Sequence, residues 1–436
     1  MTIRVIGAGL AGCEAAWQIA QAGLPVTLYE MKPHKYSPAH QSPNFAELIC
    51  SNSLKAERVE SAAGLLKEEM RRLGSLLMQC ADACRVPAGG ALAVDRHAFS
   101  AAVTKAVREH PLIQVRSEEV TKIPAEGITV VATGPLTSDA LAREIAALCG
   151  GGLSFFDAAA PIVTAESLNR ERIFAASRYG KGEDDAYLNC PMNKEEYERF
   201  YDALIHAERA PVHDFDVADP KVYEGCMPVE VMAQRGADTI RFGPLKPVGL
   251  RDPSTGHRPW AVVQLRREDR EGTLYNLVGF QTNLKFGEQK RVFGLIPGLE
   301  QAEFIRYGVM HRNTFLNSPE ILNSDYSLRK NPNLFFAGQI TGVEGYMESA
   351  SSGLMAGRNA ACRAQEKEPL TLPPETMIGA LSRYVQNGGE SEFQPMGANF
   401  GVMPPIEPHI RDKRARYAAF SERSLQLLSD IIQHIE

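Results

Sequence analysis

The chain has 436 residues, 44% of them hydrophobic and 23% charged, and a formal net charge of −6. That length predicts a large core shared by two domains. No apolar run approaches the ~18 residues of a membrane span, and the acidic balance lacks the whole-domain basicity usual in nucleic-acid binders, although a local basic patch can still neutralise phosphates. The eight cysteines, Cys13, Cys50, Cys80, Cys84, Cys149, Cys190, Cys226 and Cys362, are scattered and form no CxxC pair. The opening MTIRVIGAGLAG is too polar for a secretory h-region, so free thiols in a reducing cytoplasm are expected. Cys80 and Cys84 stand four apart with no second ligand pair, which favours a structural role over metal.

In chain order, residues 3–6 (IRVI) predict a short strand ending at Gly7, residues 13–22 a helix, and residues 25–29 (PVTLY) a second strand with Glu30 at its end. Between strand and helix lies Gly7-Ala8-Gly9-Leu10-Ala11-Gly12, a complete G-x-G-x-x-G. Gly7 permits the tight turn, Gly9 lets backbone approach a pyrophosphate, and Gly12 allows helix and strand to pack. The helix N-terminus offers free N–H groups to phosphates, and Glu30 falls where an acid meets ribose hydroxyls. With strand, helix and acid all in place, the motif predicts a dinucleotide site.

Residues 31–60 read as loop, with His34 and His40 left as solvated. Residues 61–84 read as a single helix, and a further helix begins near Arg96. Residues 127–134 (GITVVATG) predict a buried strand closed by a glycine turn at Gly134. From about 155 to 315 short strand-like pieces such as residues 273–280 predict an inserted α+β domain. Residues 334–338 (LFFAG) return to the first pattern, followed by a small-residue helix over 349–365 and a helical C-terminal region. The predicted fold class is α/β, with boundaries at 1–155, 156–315 and 316–436.

VVATGP at 130–135 and LFFAGQITGVEGYMESASSGLMAGRNAA from residue 334 onward resemble the later motifs of two-dinucleotide-binding-type flavoproteins. In that class the chain leaves a Rossmann-like FAD-binding domain, builds another domain and returns to close over the flavin. The resemblance therefore implies FAD, held also by Gly134, Gly338 and Gln339. Gln339 departs from the pattern, because an acid is typical there. No second G-x-G-x-x-G exists for a pyridine nucleotide, so NAD(P)H is expected to visit the flavin without its own Rossmann domain.

AGQITG and VDRHAF resemble the tRNA-modifying branch of these flavoproteins. Two families fit: the glucose-inhibited division protein A family, whose members are longer, and the folate-dependent tRNA (uracil-5-)-methyltransferase family. Similarity to the latter runs in order through ELICSNSLKAE, YLNCPMNKEEY, YEGCMPVEVMAQRG, RFGPLKPVGL, GFQTNLKFGEQKRVFG, MHRNTFLNSP, GYMESASSG and MGANFGVMPP. It implies transfer of a methylene from 5,10-methylenetetrahydrofolate to C5 of a T-loop uridine of tRNA, and its reduction to methyl with flavin electrons drawn from NAD(P)H.

Such chemistry needs a nucleophile to activate uracil and a base to take the C5 proton. Cys226 lies in Gly225-Cys226-Met227-Pro228, just before a predicted helix whose N-terminus favours a thiolate. Cys50 ends an apolar run before a polar turn. On residues alone either could be a buried structural thiol. The resemblance implies Cys226 as nucleophile on C6 and Cys50 as the acid–base partner. Tyr346, beside Glu348, could stack near the flavin or folate ring or simply pack. Cys13 reads as core, and Cys190 has no assigned chemistry. Arg411, Lys413, Arg414 and Arg416 with Tyr417, and Lys285, Lys290 and Arg291, are candidate RNA contacts or else solvated faces. Without the resemblance, two other readings stand: an NAD(P)H-reduced FAD oxidoreductase of a small metabolite, and a flavin protein that recognises RNA or protein without chemistry.

Overall fold

The computed structural model describes residues 2–37, 39–150, 153–158, 160–180, 187–210, 227–269, 271–388 and 393–435. Strand β1 (Ile3–Ile6), helix α1 (Leu10–Gln21) and strand β2 (Val26–Glu30) form the opening βαβ unit, with β1 and β2 parallel. The sheet they begin has six strands in the order Ser327–Leu328, Asn331–Phe336, Ile128–Val131, β1, β2, Ile113–Ser117. All its pairings are parallel except the edge strand Ser327–Leu328. Ile128–Val131 is buried at every position, as a strand covered on both faces must be.

Alternating small residues decide how the returning chain meets the start. Helix Tyr346–Ala364 crosses α1 with no side chain between the two backbones. A Cβ on Gly353 would lie 2.2 Å from the Ala11 carbonyl oxygen, and one on Gly357 2.5 Å from that of Ala15. Only glycine permits this approach, and it brings Gly338 and its turn over the glycine loop.

The second sheet lies between residues 162 and 306. Its order is Phe174–Ala175, Tyr187–Met192, Ala261–Arg267, Leu274–Leu277, Ile162–Thr164, Phe304–Arg306, with all pairings antiparallel. It has its own core, in which Phe200, Phe280 and Phe293 are fully buried and the last two meet edge to face at 5.2 Å. Where the chain departs from and rejoins the first sheet, Leu153–Ala158 pairs antiparallel with Met310–Phe315. A small sheet of Ser53–Ala56, Ala91–Val94 and Arg85–Val86 stands beside the opening unit. No helix among the described residues is long and apolar enough to cross a membrane.

Two expectations shift. The helix expected over 61–84 is two, Ala62–Arg72 and Leu76–Ala83. Gly74, at φ +72°, reverses the chain between them, and Ser75 caps the second. The buried Glu14 of α1 completes that cap, accepting from Ser75 Oγ at 2.7 Å, Leu77 N at 3.1 Å and Leu76 N at 3.3 Å. The apolar repeat continues through the break, so periodicity alone hid it. Helices α1 and Tyr346–Ala364 each begin three residues earlier than expected, because glycine, not an apolar residue, occupies their N-caps.

Candidate active site

A cavity of ≈ 470 Å³ opens at the C-terminal ends of β1, β2 and Ile128–Val131, the crevice where open parallel sheets take ligands. Gly7, Ala8, Gly9, Leu10 and Ala11 line it, together with Glu30, Gly134, Gly338, Gln339 and Tyr346. Gly12 lies behind the wall: a Cβ there would stand 1.7 Å from the Gly7 carbonyl oxygen, so the loop closes only on glycine. At Gly9 nothing lies within 4 Å of where a Cβ would be, leaving the backbone open to a ligand. No side chain caps α1, so its first-turn N–H groups and positive dipole end are free for phosphate oxygens. Glu30 is buried; its carboxylate accepts from Ala8 N and Lys32 N, each at 2.9 Å. It thereby braces the glycine loop from the strand that follows it.

At the returning end, Gln339 Nε2 donates to the buried Glu344 Oε2 at 2.6 Å. The amide at position 339 thus holds a carboxylate, that of Glu344, at the cavity wall. Lys55 Nζ meets the buried Glu348 Oε1 at 2.6 Å, and Ala398 N donates to the same oxygen at 3.0 Å.

Cys50 lines the same cavity. The Tyr346 hydroxyl lies 3.1 Å from its Sγ and accepts from Cys50 N at 2.8 Å and Ser51 N at 3.2 Å. Burial, then the neighbouring Cys50, pushes the Tyr346 phenol well above its ordinary range, so it stays neutral. Two arginines grip the rest of the loop. Buried Arg96 donates through Nη1 to the carbonyls of Leu48 at 2.7 Å and Ile49 at 3.0 Å, and pairs with buried Glu268 at 2.9 Å. Arg266 donates to Ser51 Oγ at 2.6 Å and Asn52 Oδ1 at 2.9 Å, while Asn52 Nδ2 donates to Arg267 O at 2.8 Å and Val94 O at 3.0 Å. Residues 48–52 are therefore held by helix Arg96–Glu109 and the small sheet on one side and by the second sheet on the other. Sequence reading missed this clamp. One local signal exists: Arg96 follows the cap Asp95 in the first turn of a helix, where the dipole disfavours a cation unless a partner holds it.

Cys226 lies outside the described residues. Cys13 and Cys190 are fully buried, and burial raises both thiols; they pack rather than react. Cys80 and Cys84 are also buried, and no metal-ligand group exists among the described residues. His34 is exposed as expected, but His40 lines the cavity with Nδ1 2.6 Å from Ser37 Oγ. Of the basic candidates, Lys285 is paired with Glu208 at 2.6 Å, Arg291 with Glu288 at 2.7 Å, and Arg416 donates to Ile410 O at 2.9 Å.

The family model for glucose inhibited division protein A matches residues 2–368. Curated relatives named methylenetetrahydrofolate–tRNA-(uracil-5-)-methyltransferase TrmFO are similar over nearly the whole chain. The one from Acetivibrio thermocellus is 61% identical over 99% of this chain and 98% of its own. The one from Desulfitobacterium hafniense is 62% identical over 98% of each.

The chain belongs to the TrmFO family. That bears out the resemblance read from its motifs. Among solved structures, GidA of Aquifex aeolicus superposes with a TM-score of 0.71 at 17% identity, covering 98% of this chain and 73% of that one. TrmFO and GidA thus share one α/β fold, the Rossmann-type fold with an inserted domain that the sequence predicts.

Proposed function

We propose that this chain is a methylenetetrahydrofolate–tRNA (uracil-5-)-methyltransferase that uses FAD, 5,10-methylenetetrahydrofolate and NAD(P)H. The observation that carries the reading is Cys50, a thiol set beside the Tyr346 hydroxyl in the wall of a dinucleotide cavity. The names of the relatives point to the same reaction. Gly7–Gly12 and the α1 N-terminus would hold the FAD pyrophosphate, Glu30 the ribose edge, and Gly134, Gly338, Gln339 and Tyr346 the remainder. When bound, FAD supplies the electrons that convert methylene to methyl, replenished by NAD(P)H.

The chain's own residues activate the uridine. The Cys226 thiolate adds to C6 of the T-loop uracil, making C5 the carbon that takes the methylene from the folate. Cys50 then accepts the C5 proton as tetrahydrofolate leaves the methylene. Once the methyl is formed the Cys226–C6 bond breaks, restoring the C5–C6 double bond and the free thiolate. The Cys50 loop is braced by Tyr346, Arg96 and Arg266. The target base leaves its stack to reach both thiols. We place the reaction in the cytoplasm, a reading supported by seven cysteines that form no disulfide among the described residues.

The test is direct. The protein is incubated with methylenetetrahydrofolate, NADPH and unmodified tRNA, and the RNA is digested and analysed for 5-methyluridine. Product is expected; its absence with active flavin and intact tRNA overturns the reading. Cys226→Ala is expected to keep the yellow flavin and lose methyl formation, and a fully active variant removes Cys226 from the reaction.

A further inference from the structure

A protein of net charge −6 must still hold a polyanion. Of the basic segments most visible in sequence, the one at 285–291 is a poor footing, because Lys285 and Arg291 are already matched by carboxylates. A different surface of the inserted domain combines unmatched cations with exposed rings. Residues 235–260 carry five Arg/Lys (Arg235, Arg241, Lys246, Arg251 and Arg258) against two acids, Asp238 and Asp252. Of these, only Arg241 meets a carboxylate at ion-pair distance among the described residues, Asp238 at 3.3 Å.

The same stretch displays apolar side chains. Phe242 is 70% exposed, Val248 38% and Trp260 36%; Tyr179, 66% exposed, lies against Gly249, with its backbone N donating to Gly249 O at 3.0 Å. These are four of the eight large hydrophobic residues exposed among the described residues. Phe242 and Trp260 meet through Arg241, and Tyr179 lies against the residue that follows Val248. Arg241 holds the rings in place. Its guanidinium lies 3.7 Å from the Trp260 ring centre and 5.3 Å from that of Phe242, and its Nε donates to Trp260 O at 3.0 Å. A solvent-facing ring presents a stacking face that any nucleobase fits, while free Lys and Arg beside it follow phosphate.

Position strengthens the case. Trp260 directly precedes strand Ala261–Arg267, whose other end grips Ser51 and Asn52 beside Cys50. Six steps of about 3.3 Å make that strand roughly 20 Å long. One strand therefore joins the ring-and-cation face to the reaction centre, at a separation a folded RNA arm can bridge.

We propose that the face formed by Phe242, Trp260, Val248 and Tyr179 with Lys246, Arg251 and Arg258 is the landing surface for the RNA substrate. Unpaired bases stack on Phe242, and the exposed cations neutralise the adjoining phosphates. The proposal rests on the reading of the substrate as tRNA.

The test measures binding of unmodified tRNA to the full-length, FAD-loaded protein over a range of salt concentrations. Phe242→Ala is expected to raise Kd about 5- to 100-fold, the loss of one base–ring stack. The double variant Lys246→Ala/Arg258→Ala is expected to flatten the slope of log K against log salt by about 1 to 2. Both side chains in the double variant are exposed, and the flavin spectrum checks that each variant is folded. Unchanged Kd and slope in both variants overturn the landing surface, whether the face then proves to serve a protein partner or nothing. Failure of the parent reading is separate: the unaltered protein would then bind tRNA without making 5-methyluridine.

Discussion

Cys50 owes its position to other residues. Tyr346 accepts from two consecutive backbone N–H groups, Arg96 donates to the two preceding carbonyls, and Arg266 donates to the side chains of Ser51 and Asn52. Tyr346→Phe removes the hydroxyl that two part-buried N–H groups share, at a cost of about 1–3 kcal/mol. Methyl transfer is expected to fall on the order of tenfold to a hundredfold, as for a misplaced reacting group, while FAD stays bound. Single-turnover methylation with saturating tRNA measures this, and an undiminished rate would show that the hydroxyl does not position the thiol. Because burial lifts this phenol above its ordinary value of 10, it gives no phenolate signal up to about pH 10. Absorbance titrations of the parent and the Phe variant should coincide over that range. The glycine loop and Glu30 were legible in sequence because their meaning lies in local spacing. The arginine clamp was not, since Arg96 and Arg266 find partners 172 and 214 residues away.

Among the elements, helix ends carry much of the wiring. Glu69, on Ala62–Arg72, is fully buried and accepts from Met377 N at 2.7 Å and Ile378 N at 2.8 Å, the first turn of Met377–Asn387. It also accepts from Ser424 Oγ at 2.5 Å, on the C-terminal helix Lys413–Ile435. Burial raises its carboxyl from 4.5 to about 7, against the pull of these hydrogen bonds. A raised folded value means the native state holds the proton more tightly than the unfolded chain. The stability from this group is therefore fully present below about pH 4.5 and is lost as pH rises through about 7. The loss amounts to about 3 kcal/mol. Urea unfolding at pH 5 and pH 7.5 should show that slope in the parent and a flatter one in Glu69→Gln; equal slopes would count against it. The opening βαβ unit and the returning helix could be read in advance from repeat patterns. The break at Gly74 could not, since it depends on Glu14 reaching across from α1 to complete a cap.

At the scale of the molecule, two cores meet along a seam of buried polar groups. Arg96 belongs to the first sheet's side and Glu268 to the second's, with side chains 9% and 3% exposed. Removing one member strands the other in a low-dielectric site, so Arg96→Met is expected to cost about 3–5 kcal/mol. Arg96→Met/Glu268→Leu should recover much of that loss, because an apolar pair leaves no stranded charge. Urea unfolding of both variants decides; a double variant no more stable than the single would show that the seam depends on more than this pair. That the chain leaves and re-enters the first sheet was readable from where its glycine motifs recur. Which surfaces the two cores press together was not, because polar residues spaced along loops carry no periodic signal.

The two walls of the cofactor cavity are also separated in time. More than 300 residues lie between Gly12 and Gly338. A ribosome adding ~5–20 residues each second needs roughly a quarter of a minute to a minute to span that gap. Until then the glycine loop is in the open, without the turn and the helix that cover it. Flavin capture therefore waits on the returning segment, because a chain released before Gly338 lacks one wall of the cavity. Loading becomes a record of return: a yellow molecule is one whose translation went past the closing turn at Gly338.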